Sequence, residues 1–159
     1  MMVFGKKLSE YVRFQRVILG LILVVGLARF FLSIAGVSND VVKFFSMTVV
    51  AIAGVFYYGI RVHTTGFGGY KHLLPLIVVQ NVVSNTLVIA AIVLARLTHH
   101  TNIYSAPEYG GNLSARYHIL GHVLGGMVAF SLIGWLVASI VMWVTKRVSG
   151  KGGVQPATA

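Results

Sequence analysis

The sequence predicts an all-α integral membrane protein whose four transmembrane helices pack as an antiparallel bundle, with N- and C-termini in the cytoplasm. Three observations support this. Of 159 residues, 57% are hydrophobic and only 10% are charged, against about a quarter charged in soluble domains. Long stretches contain no Asp, Glu, Lys or Arg: Phe44–Ile60, His72–Ala95 and Tyr117–Thr145, with a further run from Val17 to Val37 interrupted only by Arg29. Finally, the 13 Lys and Arg residues lie mostly at the ends of these runs.

About 20 mostly apolar residues cross the hydrocarbon core as a helix. Helices are therefore expected near 16–36, 41–62, 72–97 and 117–146, in a single domain over 1–148. The runs are continuous rather than alternating, which excludes barrel strands. Lys6, Lys7, Arg13, Arg16, Arg61, Lys71, Lys146, Arg147 and Lys151 share one side of this topology, and Arg29, Lys43, Arg96 and Arg116 fall on the other. Cytoplasmic loops carry the excess of Lys and Arg. That rule places the termini and the 62–71 loop in the cytoplasm, in a plasma or bacterial inner membrane, with anionic lipids against the basic face.

A net charge of +10 would suggest nucleic acid in a soluble protein. Here the cations flank apolar runs instead of clustering on one surface, so no nucleic-acid partner is expected. The basic start followed by Val17–Ala28 has the form of a secretory signal, but the apolar run resumes after Arg29, as an uncleaved helix requires. The chain has no cysteine, which excludes disulfides, thiolate-held clusters and thiol catalysis. With three acidic residues, carboxylate relays and hydrolytic acid–base pairs are excluded as well. No Gly-x-Ser-x-Gly elbow is present for seryl catalysis.

Among the connections, Gly36–Asp40 forms a tight hairpin in which Asn39 or Asp40 is expected to cap the second helix. The His63–Lys71 loop is glycine-rich but lacks a Gly-Lys-Ser/Thr ending, so a flexible turn anchored by Tyr70 and Lys71 is expected rather than a phosphate loop. The Leu97–Arg116 loop is the longest, and loops of this length are functional or disordered. Asn112-Leu113-Ser114 matches a glycosylation sequon, meaningful only in a eukaryotic secretory context. Residues 149–159, rich in Gly, Ala and Thr, read as a flexible tail.

Three groups of residues have chemical potential. His118 and His122 stand i,i+4 on one face of the fourth helix, with Gly121 and Gly125 beside them, while His99 and His100 end the third helix on the same side. One reading makes the Gly-x3-Gly pattern a packing seam with interfacial histidines. A second has His118 and His122 ligating zinc or a transition metal with His99 or His100. In a third, the glycines make room for haem b, whose iron a fourth-helix histidine, His122 or His118, shares with His99 or His100 of the third helix; His122, the deepest, is the best single ligand, and Arg29 and Arg96 hold propionates. Covalent c-type haem is excluded, since no Cys-x2-Cys-His occurs.

The second group, Gln80, Asn81, Ser84 and Asn85, lies near the middle of the third helix, where uncompensated amides are costly and must face protein. It supplies interhelical hydrogen bonds or a substrate or polar path. Arg29, in the outer half of the first helix, is the third signal: it snorkels, pairs with Asp40, or meets a lipid phosphate or an anionic ligand such as a propionate. The expected function is a membrane-embedded haem- or metal-binding redox subunit, not an enzyme on its own. The alternative is a non-catalytic or transporting bundle, an oligomeric scaffold or small-solute conduit. Either would work as a homo-oligomer or within a larger membrane complex.

Reporter fusions test the topology directly. Fusions after Lys151 and within 62–71 should report the cytoplasm, and one near Gly110 the opposite side. Reporters in 62–71 and 98–116 giving the same side would refute four crossings.

Overall fold

Four helices long and apolar enough to cross a membrane organise the computed structural model, which describes residues 1–151: Arg16–Ile34, Asn39–Thr64, Tyr70–Thr98 and Ala115–Ser149. These dimensions fit a multi-pass membrane protein. They agree with the expected spans to within a few residues at most ends, but local structure departs from a plain bundle in four places.

The first departure precedes the spans. Strands β1 (Met2–Val3) and β2 (Lys6–Lys7) pair antiparallel across a two-residue turn, Phe4-Gly5, in which both residues have positive φ (51° and 84°). That geometry matches the twist of a tight hairpin. Helix α1 (Leu8–Phe14) follows, its start held by the Glu10 carboxylate, which accepts from Lys7 N–H at 2.7 Å. Sequence patterning treats this segment only as a source of cations, because two-residue strands and a two-turn helix lie below the length at which periodicity is readable. Tyr11 is fully buried and donates to the Val3 carbonyl at 2.9 Å. Its ring meets Phe67 edge-on at 5.6 Å, and Phe14 packs on Phe67 at 4.1 Å. Phe67 thus docks the glycine-rich loop, expected to be a flexible turn anchored only by Tyr70 and Lys71, against α1. His72 locks it further, accepting from Gly69 N–H at 3.0 Å and lying 3.2 Å from the Phe4 carbonyl.

The second departure lies between α2 (Arg16–Ile34) and α4 (Met47–Thr64). Helix α3 (Asn39–Val42) is a single turn, and residues 43–46 interrupt the expected continuous helix. Neither Asn39 nor Asp40 caps α4. Ser46 does, its Oγ accepting from Val49 N–H at 3.3 Å, because a new helix start creates its own orphan donors. Asp40 pairs with Lys43 at 2.8 Å instead, and Asn39 donates to the Glu108 carboxylate at 2.8 Å.

The third departure is the long loop after α5 (Tyr70–Thr98). It is well packed, with Asn102, Ile103, Tyr104 and Ala106 all buried. Asn102 donates to the Ala91 carbonyl and accepts from Tyr104 N–H, both at 2.9 Å. Ile103 N–H donates to Ser33 Oγ at 2.8 Å, and Tyr104 Oη donates to the Gly26 carbonyl at 3.1 Å. Burial pushes the Tyr104 hydroxyl pKa up to about 12, despite Arg29 pulling the other way, so it stays a donor throughout the neutral range. The loop therefore stitches α2 to α5.

The last departure is in the fourth span. Helix α6 (Ala115–Gly121) passes through a π-helical segment, His122–Ala129, before α7 (Phe130–Lys151). Helix α7 continues three residues into the segment expected to be a tail, and 152–159 lie outside the described residues. At the Tyr11 end the interior is filled by Tyr58, Leu73, Leu76, Ile77 and Met142, all fully buried, with Tyr58 Oη donating to Gln15 Oε1 at 2.9 Å. The Tyr104 end is less filled, and the candidate site lies there.

If the loop is a structural tie, Asn102→Ala should destabilise the protein by about 1–3 kcal/mol, since two buried backbone groups lose partners. Exposed Asn112→Ala should change it by less than about 0.5 kcal/mol. Thermal unfolding of both variants in detergent makes the comparison, and equal melting would refute the tie.

Candidate functional site

A cleft of about 990 Å³ lies between α4 and the α6–α7 helix, with α5 as its floor. Its origin is visible in the packing. Near the Tyr11 end, α4 and α7 touch so closely that a Cβ on Gly59 would come within 2.7 Å of Val141. Towards the Tyr104 end the two helices separate, and the space between them forms the cleft.

Seven polar residues singled out from sequence line it together: Arg29, Gln80, Asn81, Ser84, Asn85, His118 and His122. Polar groups on three different helices thus converge on one volume, although sequence treats them as separate signals. Arg96, His99 and His100 do not line it. Arg96 donates to the Gly111 and Leu113 carbonyls at 3.4 and 3.1 Å, anchoring the loop. His99 closes α5 in a left-handed conformation (φ 56°), and both it and His100 are exposed. The expected meeting of third- and fourth-helix imidazoles does not occur: His99 and His100 are exposed at the end of α5, whereas His118 and His122 line the cleft. Among the described residues, no group of three or more His, Cys, Asp or Glu side chains is placed to hold a metal ion.

The central contact is between Asn85 and His122. His122 Nδ1 lies 3.0 Å from Asn85 Oδ1. Asn85 Nδ2 donates to the Asn81 carbonyl at 2.9 Å, which leaves Oδ1 facing the ring as an acceptor. A neutral His122 is thereby held with its proton on Nδ1 and its lone pair on Nε2. Asn81 Nδ2 in turn donates to Ser131 Oγ at 3.0 Å, and Ser131 donates to the Met127 carbonyl. These bonds tie α5 to the π segment and α7. A π segment shifts the register of the residues around it, and such bulges are frequent at functional sites.

Glycine permits the approach. A Cβ at Gly126 would collide with the Asn85 amide, coming within 2.7 Å of Nδ2. At Gly121 and Gly125 a Cβ would meet nothing within 4 Å, so these two present bare backbone to the open cleft. His118 stands one turn from His122, ring centroids 5.2 Å apart and tilted by 36°.

Sequence reasoning missed Lys43, Tyr104 and Tyr109 as lining residues. Their only sequence signal was position, on the same side as Arg29 in the four-crossing topology. The rim of the cleft is apolar and mid-span: Ile52 is 54% exposed and Phe130 64%. Deeper in, Gln80 is 1% exposed. It donates to the Ala51 carbonyl at 3.1 Å, while its Oε1 has no hydrogen-bond partner.

Comparison of the chain with protein-family models, curated proteins and solved structures found no match. The geometry of the cleft is the sole basis for a functional reading.

The glycine argument separates positions that look alike in sequence. Gly126→Ala should displace Asn85 and destabilise the protein by about 1–3 kcal/mol, as overpacking does. Gly121→Ala and Gly125→Ala should be neutral or stabilising, by up to about 1 kcal/mol through helix propensity. Thermal unfolding in detergent distinguishes them, and a harmless Gly126→Ala would refute the tight approach.

Proposed function

We propose that this protein is a membrane-embedded redox subunit that binds haem b in the cleft, where His122 Nε2 would hold the iron. The observation that carries this reading is the Asn85–His122 bond. A ligating imidazole characteristically donates its other ring N–H to a fixed acceptor, which orients the ring and raises its basicity. Asn85 supplies that acceptor, and the bare backbone at Gly121 and Gly125 leaves room for a flat ring.

The donor set favours haem over a bare metal ion. Zinc sites take three or four protein ligands, whereas only His118 and His122 stand together here. A porphyrin brings four nitrogens of its own and asks the protein for one more. His118 stands beside His122 on the same helical face and would line the cofactor next to it. The cleft volume lies at the upper end of the roughly 300–1,000 Å³ range of small-molecule sites. When bound, the cofactor supplies one-electron chemistry, and the chain's residues orient it and exclude water.

A binding site accounts for the geometry better than a conduit. Beyond Gln80 the interior is closed by Tyr58, Leu76 and Ile77, so the polar face of α5 ends in packed side chains. The reading sets the four helices as an antiparallel bundle with cytoplasmic termini, in a plasma or bacterial inner membrane. The basic face then meets anionic lipids. Electrons pass to or from a partner, either another subunit or a second copy of this chain.

Titration of the detergent-purified protein with haemin should give a Soret band distinct from that of haemin in empty micelles. His122→Ala should abolish that band, and Asn85→Leu should weaken haem affinity by about 10- to 100-fold, as loss of an orienting partner does. His99→Ala and His100→Ala should have no effect. A spectrum no different from haemin in empty micelles, or one insensitive to His122→Ala, would refute haem ligation.

A further inference from the structure

Arg29 is the one cleft residue whose charge the protein leaves uncompensated. It lies five residues before the end of α2, about 7–8 Å along the helix axis. The chain has three acidic side chains, and each is engaged elsewhere. Glu10 accepts from Lys7 N–H and lies 3.8 Å from Lys6, Asp40 pairs with Lys43, and Glu108 accepts from Asn39. The expected alternative of an Arg29–Asp40 pair is thus not realised.

What surrounds Arg29 instead is aromatic. Its guanidinium carbon lies 5.3 Å from the Tyr104 ring centroid and 5.1 Å from that of Tyr109. Two ring faces restrain a planar cation without neutralising it. The side-chain Nε is buried and has no hydrogen-bond partner. Tyr104 cannot swing away, because its hydroxyl is bonded to the Gly26 carbonyl. A fixed guanidinium with free donors, facing an open volume in an apolar setting, matches a planar oxyanion, which it can grip through two parallel bonds. Lys43 lines the same end and adds positive charge there.

We infer that Arg29, between Tyr104 and Tyr109, is the receptor for the acidic headgroup of an amphipathic ligand whose apolar body lies along the cleft. The headgroup chemistry is a carboxylate or phosphate; its source is either a porphyrin side chain or a membrane lipid. The apolar rim at Ile52 and Phe130 sets the direction of the body, since these exposed mid-span side chains face the hydrocarbon through which such a ligand would enter. The inference rests on the cleft being a binding site, but not on coordination by His122.

Iron-free protoporphyrin IX tests it independently of any axial ligand, because the full-length protein can then hold the ring only through shape and its two carboxylates. Porphyrin fluorescence anisotropy in non-ionic detergent is the readout. The acid should bind about 10- to 100-fold more tightly than its dimethyl ester, as loss of charge-assisted hydrogen bonds implies. Arg29→Gln should erase that preference, and Arg29→Lys should restore part of it. His99→Ala, outside the cleft, should leave it intact. Equal binding of acid and ester by the unaltered protein, or no binding of either, overturns the inference without requiring any variant to fold.

Competition then assigns the source. Displacement of protoporphyrin by palmitate but not by hexadecanol supports a receptor open to lipid acids; no displacement by either supports one restricted to the porphyrin carboxylates. If haemin fails to coordinate while the acid preference holds, the haem reading falls and the receptor stands. If haemin and its dimethyl ester coordinate through His122 with equal affinity, the receptor falls and the haem reading stands.

Discussion

The Asn85 side chain joins the two halves of the site. It donates to the carbonyl of Asn81, one turn back on its own helix, and accepts across the helix interface from His122. In an apolar interior neither group can turn to water, so each bond is stronger than its surface counterpart and each loss is harder to replace. The pairing therefore dictates more than one contact. It requires a glycine at 126, where any Cβ would overlap the amide, and it sets which imidazole nitrogen is left for a ligand.

Around this contact the fold divides into a filled end and an open end. The filled end is built from large side chains with no exposure, Tyr11, Tyr58, Leu73, Ile77 and Met142 among them, braced by the hairpin and α1. Dispersion and apolar burial hold it closed. The open end is held from above by the loop after α5, whose polar side chains bond to the carbonyls of Gly26 and Ala91. A cleft can persist between α4 and the α6–α7 helix because both ends are fixed independently of it.

Electrostatics sharpen the picture. A chain with 13 basic and three acidic side chains cannot neutralise its own cations. At the surface water and lipid headgroups compensate, but Arg29 lies within a membrane-length helix, between aromatic rings. An uncompensated charge in such a place is expensive and characteristically functional. The same cationic end repels a bare metal ion and attracts an acid, so the charge balance and the two-histidine donor set favour the same kind of ligand.

Much of this was legible in the sequence, for a physical reason. Exclusion of charge from long runs is a one-dimensional property, so four membrane-length helices could be read from it, as could the need for Asn81 and Asn85 to face protein. The i,i+4 relation of His118 and His122 is equally local. What the sequence did not contain is which faces meet. Pairing His122 with Asn85 rather than with His99 or His100 depends on how the loop after α5 packs and on the π segment, both outcomes of side-chain fit between distant residues. The short hairpin and α1 escaped because their elements are shorter than any period, and Tyr104 and Tyr109 because nothing in their neighbours marks them as flanking Arg29. The sequence alone determined that the chain has four membrane-length helices carrying a few unavoidable polar groups; only tertiary packing decided that those groups would share one cleft, because convergence depends on contacts between residues far apart in the chain.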